Sequence, residues 1–227
     1  MSTIRAITGV IGYVGLFACL LFLPAGTLNW WRAWVLLGVL FVARVISTLS
    51  ILRVNKALLI ERSKLPLQEG QPLADKALLI SFMATFAGLV AFSSLDRFWF
   101  HLMVMPPAVI SFMGLLLFVT GWWIIALVLK TNAFAATVIR HQEERQHAVV
   151  DTGVYSIVRH PMYAGLVPVM VGMCLWLESY AAAFLASIPV GILVLRIRLE
   201  ERFLRRELKG YDEYAARVRR RLIPGLW

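Results

Sequence analysis

Gly153-Val-Tyr-Ser-Ile-Val-Arg-His-Pro-Met-Tyr-Ala-Gly165 is the stretch on which the reading of this chain turns. Up to His160 it looks soluble, with a glycine turn, a tyrosine and an Arg-His pair. From Pro161 it becomes an apolar run that reaches Tyr180, and a second run, Ala181–Leu199, follows at once. Proline suits the first turn of a helix, where its missing N–H would have no partner anyway. A helix therefore starts at Pro161, with His160 near its cap. The two runs predict a tight transmembrane hairpin, whose second arm leaves through Arg196-Ile-Arg-Leu-Glu-Glu201 into a basic tail. Both ends of a hairpin lie on one side, so polar residues of chemical interest gather at one rim of a membrane-embedded protein.

Outward from this hairpin, four more apolar runs occur at Ile7–Leu23, Trp31–Leu52, Ala77–Leu95 and Val104–Leu129. A hydrocarbon core is about 30 Å thick, and runs of this length can cross it as helices. With 60% hydrophobic and 16% charged residues among 227, a soluble globular domain is excluded. The expected fold class is all-α, a polytopic transmembrane helical bundle of about six spans. Residues 1–130 read as a four-span scaffold and residues 131–227 as a catalytic region. The first span has one Arg before it and no clean cleavage site after it, so it reads as a retained signal-anchor. Cys19 and Cys174 both fall inside apolar runs, which argues against a disulfide or a metal site.

The net charge of +10 is unevenly placed. Residues 53–76, residues 130–159, the tail from Arg196 and Arg5 together hold 20 of the 23 Lys and Arg residues. This is the positive-inside pattern, and it sets both termini in the cytoplasm, at the cell inner membrane if the source is bacterial. The expected partners of the charge are membrane lipids rather than nucleic acid. Trp30, Trp31, Trp34 and Trp99 read as interfacial belt residues. Arg44, inside the second run, reads as snorkelling to headgroups, with a role inside the membrane as the alternative. Asn55–Lys64 reads as an interfacial helix with Leu58, Leu59 and Ile60 toward lipid.

Three clusters meet at the rim: His147-Ala-Val-Val150 with Tyr155; Arg159-His-Pro-Met-Tyr163; and Arg196 with Glu200-Glu201. Taken singly, each has a bland reading. Arg-His-Pro could anchor headgroups, Arg196 and Glu200 are spaced as an ordinary i, i+4 helix pair, and the tyrosines could be belt aromatics. Those readings do not explain all three at one rim. His141 and His147 flank acidic residues, but their spacing fits no compact ligand pattern, so no metal is expected.

With these motifs quoted, the region from Asn132 to Trp227 resembles the isoprenylcysteine carboxyl methyltransferase family. The matching elements are His147–Val150, Gly153-Val-Tyr155, Arg159–Tyr163 with Gly165, Arg196-Ile with Glu200-Glu201, and Tyr211, Tyr214 and Pro224 near the end. The resemblance implies a membrane-integral methyltransferase with a cytoplasmic pocket for S-adenosyl-L-methionine. The cofactor-binding positions it implies are Arg140, His147, Ala148, Val149, Val150, Tyr155, His160, Pro161, Met162, Tyr163 and Glu200. It implies that Arg196 faces the substrate, a lipophilic or lipidated molecule carrying a carboxylate, and Arg196 and Glu200 are the candidate catalytic residues. One departure is Arg140, where animal members of the family carry Gln.

The expected reaction is methyl transfer to an isoprenylcysteine-like carboxylate. A lipid-amine (phospholipid) N-methyltransferase is the first alternative, although Arg196 would repel a cationic amine. An NADPH-dependent membrane reductase and a non-enzymatic scaffold are the others.

Overall fold

Lipid offers no hydrogen bonds, so a chain that crosses it must pair its own backbone groups, and a helix does so within one segment. The structure is a computed structural model that describes residues 3–54, 56–62, 64, 67–68, 70–139, 145, 147–223, 225 and 227. Among the described residues, all regular structure is helical. In order come α1 (Thr3–Ala25), α2 (Trp31–Val54), the short α3 (Lys56–Arg62) and α4 (Leu73–Leu95), which runs on into a π-helical turn at Asp96–Phe100. Then follow α5 (Ala108–Thr131), a 3₁₀ turn at Gly153–Ser156, α6 (Pro161–Trp176), α7 (Tyr180–Leu185), α8 (Ser187–Glu207) and α9 (Tyr211–Arg217). The segments Ile7–Ala25, Trp31–Leu52, Leu73–Phe100, Ala108–Thr131 and Tyr180–Glu207 are long and apolar enough to cross a membrane. The protein is an integral membrane helical bundle.

The remaining apolar helix, α6, has only 16 residues. At about 1.5 Å per residue it is roughly 24 Å long. It nevertheless joins the two ends of the bundle. At its start, Tyr163 meets the far part of α8; just past its end, Ser179 donates to Asp96 at 2.6 Å, at the end of α4. Trp176 donates to the Arg32 carbonyl at 2.8 Å, at the start of α2. Glu178 pairs with Arg32 at 3.2 Å and with Arg97 at 2.9 Å. Arg32 and Arg97 are thus neutralised together at one end.

The hairpin is close at its mouth but not along its length: α6 lies along α5, and α8 lies along α4. Glycine explains the choice. A Cβ at Gly172 of α6 would sit 2.4 Å from the Gly114 carbonyl oxygen, and one at Gly121 of α5 would sit 2.5 Å from that of Gly165. Small residues in register let two backbones touch, whereas Gly191 of α8 faces open space. Gly172→Val should cost about 3 kcal/mol, the upper part of the overpacking range, because the atoms in its way are backbone. Thermal unfolding in detergent checks this, with Gly12→Ala, which meets nothing within 4 Å, expected to melt like the parent.

Two local expectations are corrected. Trp31, Trp34 and Trp99 are exposed as belt residues should be, but Trp30 is buried against Phe98 with ring centroids 5.0 Å apart. Leu58 of α3 is fully buried and Leu59 lines an internal cavity, leaving Ile60 exposed. α3 therefore packs as a lid on the bundle rather than floating on lipid.

Candidate active site

The rim is built around two adjacent glutamates that point to different places. Glu201 is buried and accepts from Arg159 Nε at 2.7 Å and Arg221 Nε at 3.0 Å, with His160 Nε2 at 3.3 Å. Arg159 also donates to the Val218 carbonyl at 2.7 Å. The backbone N–H groups of Arg159 and His160 donate to the carbonyls of Arg220 and Arg221, each at 2.9 Å. Glu201 therefore ties the α6 cap, α8 and the tail together. His160 is the N-cap residue and Pro161 opens α6, as the sequence implied. Glu200 turns instead into a cavity, where it accepts from the Tyr163 hydroxyl at 2.7 Å. Its other carboxylate oxygen has no partner among the described residues.

That cavity measures about 1100 Å³. His147, Ala148, Val149, Val150, Tyr155, His160, Pro161, Met162, Tyr163, Arg196 and Glu200 all line it. Arg140, the remaining candidate, lies outside the described residues, as does His141. Ala148, Val149 and Val150 form no regular structure and make no backbone hydrogen bond to another described residue. Tyr211 and Tyr214 of α9 close this side, and the Tyr214 hydroxyl donates to the Tyr155 carbonyl at 2.9 Å. Asn132 donates to the Tyr155 hydroxyl at 2.8 Å. The Tyr155 proton then has no acceptor among the described residues. Burial raises the Tyr155 and Tyr214 phenols above the ordinary tyrosine value, so both are neutral donors at pH 7.

Arg196 does not pair with Glu200, its i, i+4 neighbour. Its Nε donates to Asp75 Oδ1 at 2.8 Å, and its Nη2 to the Thr137 carbonyl at 2.6 Å. Asp75, wholly buried in the first turn of α4, also accepts from Gln71 at 2.7 Å and from the Ile139 N–H at 3.0 Å. This leaves Nη1 as the one donor nitrogen of Arg196 without a partner among the described residues. Sequence reasoning missed Asp75. An acidic residue in the first turn of a span was the available signal.

The opposite wall comes from α1, α2 and α4 and includes Val10, Phe17, Phe82, Phe86 and Val90. The cavity thus joins a polar compartment at the rim to an apolar one inside the bundle. Arg44 belongs to this wall rather than snorkelling away: its guanidinium lies 4.5 Å over the Tyr13 ring.

The fold and cavity define an integral-membrane helical bundle with a pocket at its polar rim, and sequence comparison gives its class. A family model described as phospholipid methyltransferase matches residues 109–209. Protein-S-isoprenylcysteine O-methyltransferase B of Arabidopsis thaliana is 31% identical over 145 residues, which cover 63% of this chain and 69% of that protein. Probable protein-S-isoprenylcysteine O-methyltransferases of the indica and japonica subspecies of Oryza sativa are each 32% identical over 130 residues, covering 56% of this chain and 63% of theirs. The chain belongs to the isoprenylcysteine O-methyltransferase family and is a membrane methyltransferase that draws on a methyl donor. Family membership sets aside the reductase and scaffold readings.

Proposed function

We propose that this enzyme methylates the carboxylate of a lipophilic, isoprenylcysteine-like acceptor with S-adenosyl-L-methionine as donor. The observation that carries the reading is the single cavity with a polar end at the rim and an apolar end among α1, α2 and α4. A water-soluble cofactor and a lipid-borne acceptor need such a shape to meet.

The polar end suits the cofactor by its donor set. Glu200 keeps one carboxylate oxygen for an ammonium group, residues 148–150 offer a backbone edge unpaired among the described residues, and Tyr155 offers a hydroxyl. When bound, S-adenosyl-L-methionine supplies an electrophilic methyl whose C–S electron pair returns to sulfur as the acceptor oxygen forms the new O–C bond. The chain need not remove a proton, because an acceptor carboxylate is already ionised at pH 7. Its residues bind, align and exclude water. Arg196, fixed by Asp75, turns Nη1 to one acceptor oxygen; Tyr163 fixes Glu200; Pro161, Met162 and His160 shape the wall between them. Alignment of this kind is worth several kcal/mol of barrier, about 7 or more in the best intramolecular cases.

In this reading residues 131–227 carry the cofactor side, and residues 1–130 supply the apolar chamber and Asp75. Both termini face the cytoplasm, where the basic rim meets anionic headgroups. Incubating purified protein with S-adenosyl-L-methionine and a small prenylcysteine should yield the methyl ester by mass spectrometry. Failure with prenylcysteine acids but transfer to a lipid amine would favour the second reading, phospholipid N-methylation, which the family model over residues 109–209 supports. Glu200→Ala should weaken S-adenosylhomocysteine binding by about tenfold to a hundredfold, as loss of a charge-assisted hydrogen bond does. Calorimetry at unchanged melting temperature measures it.

A further inference from the structure

Two cations in the cavity wall have no part in the reaction as outlined. Arg44 lies on α2, and its Nε is buried with no hydrogen-bond partner among the described residues. Arg62 closes α3 and donates from Nη1 to the Ala135 carbonyl at 2.7 Å. Among the described residues neither has a carboxylate partner. Burial and the nearby Arg44 lower the pKa of Arg62 to about 10, so it stays charged at pH 7. Ser47, one turn beyond Arg44 on the same wall, is 3% exposed, and its hydroxyl has no partner among the described residues.

Arg44 and Arg62 are half-buried, whereas Arg32, Arg159 and Arg196 are buried. Arg32 is neutralised by Glu178, Arg159 by Glu201 and Arg196 by Asp75. Two like charges in a low-dielectric wall repel each other and are costly to bury without a counter-ion. Among the described residues, Arg32, Arg159 and Arg196 each have a carboxylate partner, whereas Arg44 and Arg62 have none. The pair also sits at the junction of the compartments. Arg62 lines the cavity together with Tyr155 and Glu200 of the polar side; Arg44 covers Tyr13, beside Phe17 and Phe86 on the apolar side.

We propose that Arg44 and Arg62, with the Ser47 hydroxyl, select the acceptor by charge: they receive the carboxylate of an amphiphile whose chain lies among α1, α2 and α4, and they reject a cationic amine. The proposal rests on the carboxyl-methylation reading for its choice of acceptor and adds the residues that enforce it. Arg196, already neutralised by Asp75, then aligns a carboxylate that Arg44 and Arg62 have drawn in.

The test is competitive binding of an N-acetylated prenylcysteine and of its carboxamide to purified protein loaded with S-adenosylhomocysteine. The parent should prefer the acid by about tenfold or more, the size expected for hydrogen bonds to a charged group. Arg44→Gln with Arg62→Gln should erase that preference without changing S-adenosylhomocysteine affinity, and Arg44→Lys should keep most of it. If the double variant fails to fold, Arg44→Gln alone makes the same comparison, since it breaks no hydrogen bond between described residues. Equal binding of acid and amide by the parent overturns the proposal, as does a preference that survives in a variant binding S-adenosylhomocysteine normally. A parent that prefers the acid but transfers no methyl to it would sink the carboxyl-methylation reading and leave the anion site standing.

Discussion

Glu201→Ala should unfold the rim while its neighbour Glu200→Ala leaves the fold intact. The Glu201 carboxylate is buried and bonded to Arg159, which is itself 7% exposed, and to Arg221 of the tail. Removing it strands a guanidinium that, among the described residues, has only the Val218 and Ala215 carbonyls left. Breaking a buried pair from one side costs about 3–5 kcal/mol, a large part of the roughly 5–15 kcal/mol that holds a typical domain together. The tail should go first. Its grip on the core is the pairing of Arg159 and His160 with the Arg220 and Arg221 carbonyls, and Arg159, His160 and Arg221 all meet Glu201. Trypsin at Arg219–Arg221 then gives a direct readout: rapid cleavage in Glu201→Ala and slow cleavage in the parent and in Glu200→Ala. Equal protection in all three would show that Glu201 is not the clasp.

The different fates of these two glutamates show what a sequence carries and what it does not. Spans, their polar rim and the start of α6 at Pro161 were legible because hydropathy and proline chemistry act locally. The rim clusters were legible because several polar motifs at one membrane face need a shared reason. Pairing across the fold was not legible. Arg196 and Glu200 look like natural partners at i, i+4, yet the arginine goes to Asp75, 121 residues away, and the glutamate to Tyr163. Packing of α4 against α8 decides this, and no local pattern encodes it. The hairpin was mis-spaced for a related reason. Glycines on α5 and α6 win the close contact, so adjacency in sequence does not become adjacency in space. Arg44 was hidden as well, because snorkelling and lining a cavity look alike until Tyr13 is placed beneath the guanidinium.

The Asp75–Arg196 pair should be asymmetric in stability and symmetric in activity. Asp75→Leu leaves Arg196, 6% exposed, with only the Thr137 carbonyl as partner among the described residues, and should cost about 3–5 kcal/mol as a stranded buried charge. Arg196→Leu leaves Asp75 with the Gln71 amide and the Ile139 N–H still donating to it, so its loss should be smaller, about 1–3 kcal/mol. The double variant Asp75→Leu with Arg196→Leu should recover much of the single-variant losses, because apolar replacement of a buried pair is often neutral. Activity follows another rule. If Asp75 aims Arg196 at the acceptor, either single variant should lose roughly a hundredfold or more in turnover, as misplacement by about an ångström does, and the double variant should recover none of it. Cofactor affinity should be unchanged throughout, since neither residue touches Glu200 or the 148–150 edge. The decisive measurement is turnover at saturating acceptor beside a melting curve for the same three variants. Near-normal turnover in Asp75→Leu would mean that the carboxylate only balances charge, and that Arg196 finds its direction without it.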